Sequence, residues 1–384
     1  MMRFPVIVQA FLRWAETAKA AERAAAAKAL VRAYLQSTLF GEQRKAAMIA
    51  ITHLLDDPSP VVRLGLAEAL AVSAEAPRAI VLSLAQDQSE IAATVLASSP
   101  VLLDADLIDL IGRGDVCTRA AIAARTGLSA PVAAAVAEVG EPEVISVLLE
   151  NGTARIGRIS LRRMAERFAA EAAIRAALLE RGDLPADARH ILVAELGNAL
   201  AELDLVRNVI GGLRMRRLTR EICELAAVVI AGTAARDELP ELVEHMRASG
   251  RLTPAFLMQA LCAGRIEFFA EAIRNLSGLE ERRVRSILAT GRMHAVRALF
   301  ESVGLARDVS VLFVEAVMLW REAGRSDDIK GESEIAATLV RRFRDRVPPH
   351  STAGELLDIV ERAEIDRQRR AARDYVGSMI LEAA

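Results

Sequence analysis

The chain is predicted to be all-α, an α-solenoid or superhelix of short stacked helix pairs. Three observations predict it. Chain-breaking residues recur at a steady interval, the pieces between them are apolar at helical spacing, and the composition suits close helix packing. Hydrophobic residues make up 53% of the 384 residues while aromatics are only 4%. Ala, Val, Leu and Ile must therefore build the core. Ala and Leu favour helix intrinsically, and small apolar side chains let helices approach closely.

The first helix is predicted over residues 10–35, where Ala15–Leu35 is dense in alanine. A second follows Gly41, from Glu42 to Leu55, and stops at Asp56-Asp57-Pro58-Ser59-Pro60. Proline after acidic turn residues ends a helix. Periodicity starts there. Turn signals stand at Asp57-Pro58, Asp87, Gly114-Asp115 and Glu141-Pro142, in steps of 30, 28 and 26 residues. A second set, Pro100, Gly127, Gly152 and Gly182, steps by 27, 25 and 30. Two independent sets at one interval imply one helix pair per repeat.

The pieces between breakers support this. Val62, Leu66, Ala69 and Leu70 follow the i, i+4, i+7, i+8 pattern of one helix face. Asp104 and Asp106 place acid in the first turn of a helix carrying Leu107, Ile108 and Ile111, which the helix dipole favours. Ser129-Ala130-Pro131 reads as an N-cap followed by a first-turn proline. Helices of about 8–12 residues are marginal alone, so each must bury its apolar face on its neighbours.

The middle is less regular. Ile156–Leu179, Asp187–Ile210 and Leu218–Gly232 are helical in pattern, with Gly211-Gly212 as a bend or hinge. A weaker repeat then returns. Gly250, Gly278 and Gly304 are spaced by 28 and 26 residues, and Gly264 and Gly291 by 27. Between them Ala255–Ala263, Ile266–Leu276, Val284–Ala289, His294–Val303 and Val309–Trp320 are predicted helices. The expected layout is N-terminal capping helices over 1–56, short repeats over 57–185 and less regular repeats over 186–321. A polar exposed loop region follows over 322–354, with a helix permitted at Glu334–Phe343. Gly354–Leu381 belongs to a long final helix, 355–384, that caps the solenoid or packs on a partner.

Charge and cysteine content narrow the class. With 49 basic and 51 acidic residues the net charge is −2, so no global field pulls the chain toward nucleic acid or an anionic membrane. Lysine occurs only at Lys19, Lys28, Lys45 and Lys330, so 45 of the 49 basic residues are arginine. Biased codon usage accounts for such a skew, although arginine's planar fork also suits interface ion pairs. Cys117, Cys223 and Cys262 are odd in number and far apart, which argues against a disulfide framework or a zinc site and for buried free thiols. The five histidines are scattered, none paired with another at helical spacing. No metal and no cofactor is expected. No secretion signal is read at the start, and the longest uncharged stretches, Ile91–Leu103 and Leu252–Gly264, are too short to span a bilayer. A cytoplasmic location is expected.

Several segments resemble known repeats. Asp57-Pro58-Ser59-Pro60-Val61-Val62-Arg63 resembles the start of a HEAT repeat, where an acidic turn precedes a Val-Arg helix start. The shorter units after it, as in Thr118–Ser129, resemble leucine-rich-repeat-variant units. Asp57–Leu128 and Leu261–Phe269 together resemble an uncharacterised bacterial family, the domain of unknown function numbered 2336. The resemblance implies a superhelical scaffold and carries no functional residue with it.

The candidate surface residues are three arginine clusters. Arg155, Arg158 and Arg162, with Arg163 and Arg167 nearby, have spacings that put the first three on one helix face. Arg214 and Arg217, with Arg216 and Arg220, form the second, and Arg341, Arg342 and Arg344 the third. A basic stripe can meet phosphates, but without interleaved aromatics a solvated face paired with acids is the plainer reading. Gly112-Arg113-Gly114-Asp115 lacks the Lys-Ser/Thr of a phosphate loop and follows a helix. Phe268-Phe269 reads as core. No nucleophile, base and orienting group converge in sequence, so no catalytic residue is expected. The expected function is a non-enzymatic scaffold or adaptor for another protein, of open oligomeric state. The alternative is a nucleic-acid-binding or DNA-glycosylase-like helical-repeat protein.

Overall fold

Each of the eight breaker positions lies between two helices. Asp115 shows how: its carboxylate accepts from the Thr118 N–H (2.8 Å) and starts a helix, which supplies a partner to an N–H that the helix itself leaves unbonded. The computed structural model describes residues 4–36, 41–203, 211–323 and 335–383. Among these residues there are 22 α-helices, one 3-10 turn and no strand. None of the helices is long and apolar enough to cross a membrane. The chain divides into two compact units, Met1–Leu184 and Pro185–Ala384.

Unit 1 holds α1 (Phe4–Thr17), α2 (Ala20–Leu35), α3 (Glu42–Leu55), α4 (Pro60–Leu70), α5 (Arg78–Leu84) and α6 (Ser89–Ser98). It continues with α7 (Asp104–Arg113), α8 (Val116–Ala123), α9 (Ala130–Val139), α10 (Pro142–Glu150), α11 (Arg158–Phe168) and α12 (Ala172–Leu179). Even-numbered helices pack on the next even-numbered one, from α2 through α12. Among the odd ones α1 packs on α3, α3 on α5, α7 on α9 and α9 on α11. The core between is almost wholly aliphatic: Val62, Leu66, Ile91, Val95, Ile122, Val132, Val136 and Val144 are fully buried or nearly so. Gly65 lets α4 approach α2 closely. A Cβ there would stand 3.3 Å from the Ala24 carbonyl oxygen of α2.

Polar side chains bind successive pairs along the same rows. Arg23 Nε donates to Asp57 (2.7 Å), and Arg63 donates to Asp87 (2.6 Å) and back to the Asp57 carbonyl (2.7 Å). Ser89 reaches Asp115 (3.3 Å), and Arg119 pairs with Glu141. The acids are the first set of breakers, so the repeat in the sequence is the footprint of this ladder. A second device closes helix ends. Arg125 donates to the carbonyls of Leu96 (2.6 Å) and Ser99 (2.7 Å) at the end of α6. Arg167 does the same to Ala137 (2.7 Å) and Gly140 (3.0 Å) at the end of α9. One guanidinium fork spans two carbonyls that the helix leaves unbonded. Arginine thus has a structural use here that its abundance alone does not reveal.

Three expectations for unit 1 need correction. The helix over 10–35 is two, because Lys19 adopts an extended conformation (ψ 149°) and its N–H bonds the Glu22 carboxylate (3.2 Å). Ile156–Leu179 is also two. Arg175 draws the Ala169 (2.6 Å) and Ala170 (3.1 Å) carbonyls onto its guanidinium and ends α11 there. The helix pairing therefore continues through the stretch expected to be irregular. Cys117 is exposed instead of buried.

Unit 2 holds α13 (Ala186–Glu202), α14 (Gly212–Thr233), α15 (Leu239–Ala248), α16 (Pro254–Cys262), α17 (Ile266–Ser277) and α18 (Glu281–Thr290). It ends with α19 (Met293–Ser302), α20 (Arg307–Ala323), α21 (Ile335–Phe343) and α22 (Thr352–Ala383). Gly211, at φ 86°, makes the turn into α14 in a backbone region that favours glycine. The core adds five phenylalanines to its aliphatic side chains. The Phe269, Phe300 and Phe313 ring centroids lie 5.6–6.0 Å apart, and Phe256 meets Phe268 edge to face at 5.7 Å. α22 returns to pack on α16, α20 and α21. Arg321 repeats the carbonyl clasp on Ile287, Leu288 and Gly291 (2.7–2.8 Å). The region read as a polar loop, 322–354, contains α21, whose Ile335, Ala336 and Leu339 are buried. Residues 324–334, and the 204–210 part of the helix expected to Ile210, lie outside the described residues. α15 was not expected, although Gly232 closes the helix predicted before it and Pro240 stands in its first turn.

Candidate interaction groove

The three arginine clusters meet three different fates. In the first, α11 begins at Arg158, so Arg155 stands in the preceding loop, exposed, and does not share a helix face with Arg158 and Arg162. Arg162 bonds Glu166 (2.9 Å), Arg163 bonds Glu138 (2.8 Å), and Arg167 is a carbonyl clasp. The third cluster is likewise engaged. Arg341 meets the Thr338 hydroxyl (3.1 Å), Arg342 pairs with Glu315, and Arg344 pairs with Asp358 and Glu361. Arg155 and Arg341 in those two clusters meet no acid among the described residues, but their immediate neighbours are paired; the second cluster places its acid-free arginines along one groove. Arg217 bonds Glu221 (3.0 Å), but Arg214 and Arg220 have no side-chain partner among the described residues.

Arg214, Arg217 and Arg220 line an open groove of about 830 Å³ in unit 2. One wall is α14 from Arg214 to Leu225, and the other is α22 from Ile359 to Arg369. Both helices pack on α16, which contributes Gln259 to the lining. The spacing of Arg214, Arg217, Leu218, Glu221 and Leu225 puts them on one face of α14. On α22 the pattern Ile359, Arg362, Ala363, Asp366 repeats the mixture of apolar and charged residues. Leu218 and Ile365 remain 36% and 43% exposed on these walls. Five arginines face three carboxylates. Glu221 and Asp366 are already paired along their own helices, with Arg217 and Arg369. The buried Gln259 Oε1 has no hydrogen-bond partner among the described residues.

A second polar site lies in the same unit. His190 of α13 and His245 of α15 meet at 3.1 Å, Nδ1 to Nε2, with rings edge to face. Fifty-five residues separate them, so no local spacing could have announced the pair. The available signal was His190 itself, set beside Ala188 and Leu192 on an apolar helix. Burial first, then the charges of His245 and Arg251, depress His190 to about 4. His190 borders a small cavity of about 80 Å³ with Cys223, Glu224 and Arg251. Burial raises the Cys223 thiol above its usual range, the reverse of what a nucleophilic cysteine requires. Among the described residues no three His, Cys, Asp or Glu side chains converge to hold a metal. Gly112–Asp115 is a helix-to-helix turn that closes α7 and starts α8.

Fold and groove define an all-helical protein with paired-helix packing in its first unit and an arginine-walled groove in its second. The chain belongs to DUF2336, a family described as an uncharacterised protein conserved in bacteria, whose model matches residues 91–351. The match starts within α6, so the acidic-turn segment 57–63 lies before it. No curated protein and no solved structure matches the chain.

Proposed function

We propose that the chain is a non-enzymatic scaffold or adaptor, an α-solenoid of HEAT-like and leucine-rich-repeat-variant-like helix pairs, that holds another protein. Alternate-helix packing in unit 1 supports the solenoid reading, since each pair finds its partners in the adjacent pairs. The observation that carries partner binding is the groove between α14 and α22. It keeps apolar side chains exposed and leaves Arg214 and Arg220 without an acid among the described residues. A cytoplasmic setting fits the three free thiols.

The test is a photo-crosslinking amino acid placed at Leu218 or Ile365 in the full chain, expressed in cells. Protein adducts are expected from both positions and not from exposed Glu150. Absence of adducts at both groove positions would sink the proposal. The nucleic-acid alternative predicts instead duplex DNA binding that weakens steeply with salt and is lost in the double variant R214E/R220E.

A further inference from the structure

The groove has the dimensions and chemistry of a helix site, and we infer that its occupant is an acidic amphipathic helix of a partner protein. The inference rests on the protein-binding reading above and narrows it to one class of partner.

Length comes first. The α14 wall from Arg214 to Leu225 rises about 17 Å and the α22 wall from Ile359 to Arg369 about 15 Å. That accommodates about three turns of a helix laid along it. Backbone chemistry comes second. Both walls are helices, whose N–H and C=O groups are bonded internally. They offer no edge with which an extended peptide could exchange hydrogen bonds. A helix brings its own backbone bonds and needs from the groove only apolar surface and side-chain partners.

Charge decides the sign. Leu218, Leu225, Ile359 and Ile365 supply apolar surface along the groove. Arg214 and Arg220, six residues apart on α14, stand about 9 Å apart along the helix axis. Carboxylates one to two turns apart on the partner would face them. Nucleic acid fits less well. The lining contains no aromatic ring to stack a base. Glu221, Glu224 and Asp366 in the walls would repel a phosphate track, whereas a helix can present lysine or a polar residue opposite them.

The experiment is fluorescence anisotropy with the full chain and two labelled peptides of about 16 residues, long enough to fill the groove. One is an Ala/Leu/Glu helix with leucines at i, i+4 and i+7; the other carries Lys in place of every Glu. The Glu peptide should bind and the Lys peptide should not. R214E/R220E should weaken the Glu peptide by about tenfold or more and make the Lys peptide bind. That gain cannot come from misfolding. L218D should weaken the Glu peptide on the wild-type arginines. Equal binding of the two peptides, Glu-peptide binding unchanged in R214E/R220E, or displacement of the Glu peptide by duplex DNA or by phosphatidylglycerol vesicles would overturn the inference. Adducts at Leu218 without Glu-peptide binding would overturn it while leaving the protein-binding reading intact. Glu-peptide binding without adducts in cells would overturn both, because a groove that takes the peptide but meets no protein holds no partner helix.

Discussion

The two units solve the same problem, burying short helices, with different chemistry. Unit 1 uses small aliphatic side chains and ties neighbouring pairs with Arg–carboxylate and Arg–carbonyl contacts that each span 22–34 residues. Unit 2 uses five buried phenylalanines, a histidine pair with one buried member and a final helix that returns to α16. The lesson is about where information sits. A contact repeated between neighbours leaves a period in the sequence, and a contact made once between distant elements does not.

The comparison can be broken most forcefully in the aromatic core. F300A should cost unit 2 about 3–5 kcal/mol, as a large buried ring leaves a cavity against Phe269 and Phe313. A loss below ~1 kcal/mol by denaturant titration would mean the cluster is not the core's anchor. Acid should separate the units next. His190 titrates near 4 in the folded chain against an ordinary 6.5. The unfolded chain therefore takes the proton first as pH falls. The contribution of neutral His190 is complete above 6.5 and is lost between 6.5 and about 4, a change on the order of 3 kcal/mol. H190N should flatten that limb in a stability–pH series. In unit 1, Arg23 holds Asp57 and Arg78 holds Asp106 below the usual carboxylate range. Their contribution is present above an unfolded value of 3.8 and disappears only as pH falls through the lower folded values.

Smaller effects sharpen the comparison. R125K should cost about 1–3 kcal/mol, because an ammonium cannot reach the Leu96 and Ser99 carbonyls together as the fork does. Hydrogen exchange should then quicken at the end of α6 and the facing part of α8. R125K with wild-type exchange would remove the clasp from the account. R155A, at an exposed loop position, should move stability by no more than ~0.5 kcal/mol. A larger loss would show that Arg155 has structural work the geometry does not assign to it.

Much of unit 1 was legible for this physical reason. Asp57, Asp87, Asp115 and Glu141 are turn residues and ladder acids at once, so the breakers marked the repeat. The break at Ala169-Ala170 was invisible because Arg175 makes it by binding carbonyls, and alanines next to it favour helix. In unit 2 the helices after Gly250 were readable, since their glycines end them. The groove was half readable. Arg214 and Arg217 were singled out by their clustering, but Arg362 and Arg369 lie some 150 residues away on α22, and only folding brings the two walls together. The other two clusters looked equally basic in sequence. Folding pairs Arg162, Arg163, Arg342 and Arg344 with Glu166, Glu138, Glu315 and Asp358, while Arg214 and Arg220 line a groove with no acid partner among the described residues.

The carbonyl clasps also bear on synthesis. Arg125 follows the Leu96 and Ser99 oxygens it covers by 29 and 26 residues, and Arg167 follows Ala137 and Gly140 by 30 and 27. On a ribosome the ends of α6 and α9 therefore emerge wet and are sealed only when a later helix has been made. Growth at these two steps is directional, and a nascent chain arrested after α10 would carry an unsealed end at α9 for a chaperone to find.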